Sequence, residues 1–170
     1  MASETNESVA AVLLLGSNLG NRKGYLDEAI QSIIRFCGNV VKASSFYQTS
    51  AWGNNDQPDF LNVALQVSTL LGPDELWWKL SSIEQDAGRE RHSKWGPRTL
   101  DIDILYYGSA VIQSTILCIP HPGIPQRRFT LVPLCEIMPD FVHPVLKKNH
   151  RQLLEECLDA TAVEYFEKPI

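Results

Sequence analysis

The 170-residue sequence contains no run of 18 apolar residues, so it offers no membrane-spanning helix. Its opening, MASETNES, is polar and acidic and lacks the basic start and apolar stretch of a secretion signal. Cysteine is scarce. Cys37, Cys118, Cys135 and Cys157 lie too far apart for any CxxC pair, so neither a zinc ribbon nor a thioredoxin-like motif is signalled. They read as small apolar residues of a reduced, cytoplasmic protein. Positive charge is not in excess either. Fifteen Lys and Arg against 20 Asp and Glu give a net charge of −5, which argues against a general nucleic-acid binder. The two common glycine-rich phosphate loops are missing. No GxxxxGK[ST] occurs, because the nearest stretch, Gly16 to Lys23, has Asn21 where the second glycine belongs, and no GxGxxG follows a strand. Any nucleotide must therefore be held by side chains and metal.

What remains is an ordinary globular composition, 44% apolar and 21% charged, without repeats or linkers. We expect a flexible N-terminal tail over residues 1–9 and a single domain over residues 10–170. Ala10–Leu15 is apolar enough for a buried strand, and it stops at the loop Gly16 to Asn21. Leu26, Ala29, Ile30, Ile33 and Cys37 repeat at helical spacing before Gly38. Val40–Tyr47 reads as one strand, and Gln48–Asp59 as a long polar loop. Phe60–Thr69 alternates, predicting a strand with one face on a core. Gly72-Pro73-Asp74-Glu75 opens a second helix that ends at Gly88. A strand is predicted over Leu100–Tyr107, two short ones at Val111–Ile112 and Leu117–Ile119, and helices over Phe129–Met138 and 149–158. The last dozen residues carry no clear pattern. The order βαββαβ, with only two main helices, predicts an α+β fold. It is the ferredoxin-like core: a mainly antiparallel sheet with helices on both faces. A doubly wound fold would need a helix after nearly every strand.

Leu100-Asp101-Ile102-Asp103-Ile104 carries the strongest chemical signal. In a strand, residues i and i+2 share a face, so Asp101 and Asp103 stand about 6.6 Å apart on the side away from Leu100, Ile102 and Ile104. Two such hard oxygen donors suit Mg²⁺, although a solvated polar edge has the same pattern. Arg89, Arg91, Lys94 and Arg98 precede them within ten residues. Carboxylates that hold a metal, next to guanidiniums that fork onto free oxyanions, are what a polyphosphate requires. His121 and Arg127/Arg128 lie beyond the next hairpin and can add donors. Trp95-Gly96-Pro97 is a stiffened aromatic, suited to stacking or to anchoring a small core. Phe60 and Asn62 share one strand face, an aromatic ring beside an amide. That pair suits a flat heterocycle, with Phe129 as the second slice, or plain core packing.

These segments, together with Gly16-Ser17-Asn18-Leu19, Ser45-Phe46-Tyr47, the run Asp56 to Asn62, Gly88-Arg89 and Ile119-Pro120-His121, resemble the 6-hydroxymethyl-7,8-dihydropterin pyrophosphokinases. The resemblance spans about residues 10–158, and Trp95 to Ile104 is its most specific part. It implies transfer of the β,γ-diphosphate of ATP to the pterin hydroxymethyl group, releasing AMP in folate biosynthesis, with two Mg²⁺ and ATP binding first. It implies that Asp101 and Asp103 hold the metal and that Arg89, Arg98 and Asp103 are catalytic. Arg89, Arg91, Arg98, Ile104 and His121 are then ATP-binding. Thr49, Ser50, Trp52, Phe60, Asn62, Trp95, Arg127 and Phe129 are pterin-binding, and Arg91 and Trp95 belong to a loop that closes. Phe60 stands where tyrosine is common, which removes a hydroxyl and keeps the ring. Trp52 replaces a smaller aliphatic residue, and Pro122 follows His121 where an aromatic residue occurs in some members. The expected partners are ATP and the pterin, with no nucleic acid and no membrane, and the chain is expected to be a monomer. A Mg²⁺-dependent phosphohydrolase using the same aspartates, or a nucleotide-binding regulatory domain, are the competing readings.

Overall fold

The computed structural model of the chain describes residues 7–51, 56–88 and 97–169. In chain order its elements are β1 (Val9–Ser17), α1 (Arg22–Phe36), β2 (Asn39–Ala43), β3 (Phe46–Thr49), β4 (Phe60–Thr69) and α2 (Pro73–Asp86). They continue with β5 (Asp101–Tyr107), the small β6 (Ile112–Gln113) and β7 (Cys118–Ile119) hairpin, α3 (Arg128–Ile137), α4 (His150–Glu156) and β8 (Val163–Glu167). The main sheet runs β5-β1-β4-β3-β8, with β2 also on β4, and every pairing is antiparallel. This is the expected ferredoxin-like α+β arrangement. The two longest apolar strands, β1 and β4, take the centre, where burial on both faces is greatest.

Alternation along β1 and β4 separates two cores. Leu13, Leu15, Leu61, Val63 and Leu65 face α1 and α2, meeting Leu26, Ile33, Leu76 and Leu80. Val12, Leu14 and Ala64 point the other way, against Leu131 and Leu134 of α3 and Leu153 of α4. A fully buried leucine contributes about 1.5–3 kcal/mol, so these two layers are the main source of stability. The expectation that β4 has a single core face is therefore corrected: α3 and α4 cover its second face. Asn21 accepts from the Gly24 N–H to start α1, and, as expected, Pro73 opens α2 with Asp74 and Glu75 at its positive end. Gly38 follows α1 at φ 149°, where a Cβ would run into the Ser68 carbonyl.

Four local features depart from the sequence-based expectation. The strand read over Val40–Tyr47 breaks into β2 and β3 at two serines. The Ser44 hydroxyl accepts the Ala64 N–H (2.9 Å), and the Ser45 N–H and hydroxyl both donate to Glu136 of α3 (2.8 Å each). β5 carries a register shift opposite Val12/Leu13. Ile102 and Ile104 consequently stay in the α1/α2 core, while Leu105 and Tyr106 enter the α3/α4 core. The unpatterned tail forms β8, an edge strand on β3. The first strand starts at Val9 rather than at residue 10.

Candidate functional site

Strand register builds the floor of the site. Gly16 of β1 pairs with Asn62 of β4 on one side and with Asp101 of β5 on the other. One pleat along, Leu14 pairs with Ala64 and with Asp103. Adjacent strands lie about 4.8 Å apart, so the two aspartates and Asn62 stand on opposite sides of a shallow glycine-floored trough on the α3 face. A cavity of about 390 Å³ opens above it.

One end of that cavity is ionic. Arg98 Nη1 lies 3.1 Å from Asp101 Oδ2. Burial, and then the neighbouring Asp101 charge, raise the pKa of Asp103 well above the ordinary carboxylate range, although Arg127 and Arg98 pull it down. His121 Nε2 lies 3.9 Å from Asp103 Oδ2. Burial, followed by repulsion from Arg127, lowers the His121 pKa to about 4, so the ring is neutral at pH 7. Its Nδ1 accepts the Gly123 N–H (3.0 Å), which leaves the proton on Nε2, facing Asp103. This end thus presents two carboxylates to a cation, and two guanidiniums and a neutral imidazole N–H to an oxyanion.

The other end is aromatic and amidic. Phe60 and Asn62 come from β4, Thr49 from the paired residue of β3, and Phe129 from the first turn of α3. Asn62 Nδ2 donates to Thr49 Oγ1 (3.2 Å), which fixes the amide plane in a nearly fully buried position. The Arg127 guanidinium lies 5.9 Å from the centre of the Phe129 ring and joins the two ends.

The structure brings ten expected residues around this one cavity: Arg98, Asp101, Asp103 and His121 with Arg127 at the ionic end, and Thr49, Ser50, Phe60, Asn62 and Phe129 at the other. The Ile104 side chain is 6% exposed inside the α1/α2 core, because it shares the inward face of β5 with Ile102, so it does not line the cavity, and only its backbone is left to meet a nucleotide. Arg128 does not line it either; its N–H donates to Asp159 Oδ2 (2.9 Å). Trp52, Arg89, Arg91 and Trp95 lie outside the described residues. Sequence reasoning missed Leu14 and Gly16, which also line the cavity; Ala51 and Gln57 line it as well, from the polar loop Gln48–Asp59. For Gly16 a signal existed, since glycine closing an apolar strand marks a place where something must approach the backbone closely.

Known proteins resemble the chain in sequence and in fold. Residues 12–139 match the family model of 7,8-dihydro-6-hydroxymethylpterin-pyrophosphokinase (HPPK). The chain is 41% identical over 142 residues to the 2-amino-4-hydroxy-6-hydroxymethyldihydropteridine pyrophosphokinase of Aquifex aeolicus, covering 84% of this chain and 88% of that protein. It is 44% identical over 154 residues to the protein of the same name from Synechocystis sp., covering 90% of this chain and 78% of the relative. Its fold matches the crystal structure of wild-type Plasmodium falciparum HPPK-DHPS with SDX-DHP at a TM-score of 0.73 and 17% identity; that match covers 91% of this chain but only 45% of the longer protein. The chain belongs to the 7,8-dihydro-6-hydroxymethylpterin-pyrophosphokinase family.

Proposed function

We infer that this protein is an enzyme of folate biosynthesis. It transfers a diphosphate from ATP to the hydroxymethyl group of 6-hydroxymethyl-7,8-dihydropterin, giving the pterin diphosphate and AMP. The observation that carries this reading is the two-ended cavity, with a carboxylate pair and guanidiniums at one end and a fixed amide with two phenylalanines at the other.

Asp101 and Asp103 fit Mg²⁺. Both offer hard oxygen donors from one face of β5, at the same end of the cavity. Among the described residues no third carboxylate, histidine or cysteine joins them, so most ligands are left to phosphate oxygens and water, as Mg²⁺ commonly prefers. We assign two ions to this pair. When bound, they neutralise phosphate charge and lower the pKa of the attacking alcohol. The chain's own residues do the rest. Arg98 and Arg127 offset the charge that grows on the phosphate oxygens in a loose transition state. His121 adds an N–H donor from Nε2. Asn62, held by Thr49, reads the heterocycle edge, and Phe60 and Phe129 hold its faces. The roles of Arg89 and Arg91 at the phosphates, and of Trp52 and Trp95 at the acceptor, rest on the sequence alone. We further propose a cytoplasmic monomer with a single catalytic domain that begins with β1 at Val9. Four free thiols support a reducing compartment, and among the described residues no helix is long and apolar enough to cross a membrane.

The test incubates the protein with ATP, Mg²⁺ and hydroxymethyldihydropterin and follows nucleotides by chromatography. AMP forming only when the acceptor is present supports the reading. ADP released without acceptor would indicate a phosphohydrolase, and metal-independent nucleotide binding without turnover a regulatory domain.

A further inference from the structure

Asn18 lies in the connection between β1 and α1 and is 1% exposed. It does not line the cavity, yet it ties together two segments that do. Its backbone N–H donates to the Arg98 carbonyl (3.2 Å), and its Oδ1 accepts the Arg98 N–H (2.9 Å). On the other side Nδ2 donates to Gln57 Oε1 and to the Pro58 carbonyl, each at 3.1 Å. Both amide hydrogens and the amide oxygen are therefore engaged. Only a primary amide of this length offers one acceptor and two donors in that fork. Arg98 carries the guanidinium that pairs with Asp101, and Pro58 is two residues before Phe60. Arg22 fastens the same loop separately, through Nη1 to the Asp59 carbonyl (2.8 Å) and Nη2 to Gln48 Oε1 (3.1 Å), but these contacts do not reach Arg98.

We propose that Asn18 is a positioning residue that sets the separation between the phosphate-binding wall and the acceptor pocket. The inference deepens the diphosphate-transfer reading and rests on it. In-line transfer needs the alcohol oxygen within about 3–3.5 Å of the phosphorus, and a misplacement of 1 Å costs about 100-fold in rate. Asn18 lies behind both walls, so its loss alters how the two bound substrates meet more than how either one binds. Its signature is a loss in kcat that the separate affinities do not share.

The experiment compares Asn18→Ala, Asn18→Asp and Arg22→Ala with the native chain. It measures kcat for AMP formation, the Kd of a non-hydrolysable ATP analogue with Mg²⁺, and the Kd of the dihydropterin in the presence of that analogue. Asn18→Ala should lower kcat by about 10- to 100-fold, in line with a sub-ångström to ångström displacement, with each Kd within threefold of native. Asn18→Asp keeps the acceptor for the Arg98 N–H but loses both donors to the loop and turns an anionic oxygen on the Pro58 carbonyl, so the tie is broken and its kcat should fall comparably. Arg22→Ala, which leaves the Arg98 clasp intact, should reduce kcat less than Asn18→Ala. If Asn18→Ala fails to fold, the near-isosteric Asn18→Asp is judged in its place, with at least a threefold loss of kcat at unchanged affinities required. A kcat within threefold of native, or affinities that fall in proportion to it, overturns the proposal. A native protein that forms no AMP overturns the transfer reading itself, and the proposal with it.

Discussion

Gly16→Ala isolates the floor of the cavity from the rest of the fold. Gly16 is not among the positive-φ glycines, so alanine is compatible with its backbone. The obstacle is space. An added Cβ would stand 2.7 Å from Asn62 Oδ1 and 3.6 Å from Phe60 Cδ1. The first distance forces the Asn62 amide to move, and with it the 3.2 Å hydrogen bond to Thr49. Losing one such bond costs about 0.5–1.5 kcal/mol, and a ligand polar group left without its partner costs about 1–3 kcal/mol. A combined penalty of about 2 kcal/mol corresponds to about 30-fold weaker acceptor binding. Stability should move little, since replacing glycine by alanine restricts the unfolded chain and contributes about 0.4–1 kcal/mol in the opposite direction. Calorimetric titrations with the dihydropterin and with an ATP analogue, beside a thermal melt, read these quantities separately. Acceptor affinity within threefold of native, or an equal loss of nucleotide affinity, would refute the reasoning.

Other perturbations address the ionic end and the second core. Asp101→Ala and Asp103→Ala should each lower the rate by about 1000-fold or more, the several kcal/mol a bound cation contributes, with unchanged circular dichroism; activity within tenfold of native in both would remove the metal assignment. Arg98→Ala should lower kcat/KM for ATP by at least about tenfold, as loss of a charged hydrogen-bonding partner does, and an unchanged value would count against its phosphate role. His150 is fully buried, with Nδ1 2.7 Å from the Met138 carbonyl and Nε2 2.9 Å from the Tyr106 hydroxyl. Burial lowers its pKa from 6.5 to about 4, so the stability tied to its neutral form is complete above pH 6.5 and is lost as pH falls towards 4. The unfolding free energy should drop over that interval by an amount on the order of 3 kcal/mol from this residue, and less steeply in His150→Gln; identical slopes in denaturant titrations would contradict this.

The parts legible in the sequence are those set by local periodicity. The alternation in β4, the helical stripe of α1 and the Asp101/Asp103 pair each depend on neighbours within a few residues, and each is where the pattern places it. The parts that were not legible depend on distant partners. β8 is a mixed run, Val-Glu-Tyr-Phe-Glu, whose strand form comes from pairing with β3 more than a hundred residues earlier. The break at Ser44 and Ser45 follows from Glu136, 91 residues away from Ser45. The same holds at the site. Gly16 matters because Asn62 and Asp101 flank it, and Asn18 because Arg98 lies 80 residues on. Ile104 follows the local rule: the strand's own alternation turns its side chain into the core beside Ile102.

The central claim is that the β- and γ-phosphates move together to the pterin alcohol. ATP labelled separately at the α, β and γ phosphorus tests it in one set of incubations with Mg²⁺ and the dihydropterin. The β and γ labels should both appear in the pterin product in equal amounts, with the α label wholly in AMP. Transfer of the γ label alone with formation of ADP, or appearance of either label as inorganic phosphate in place of the pterin product, would contradict the account.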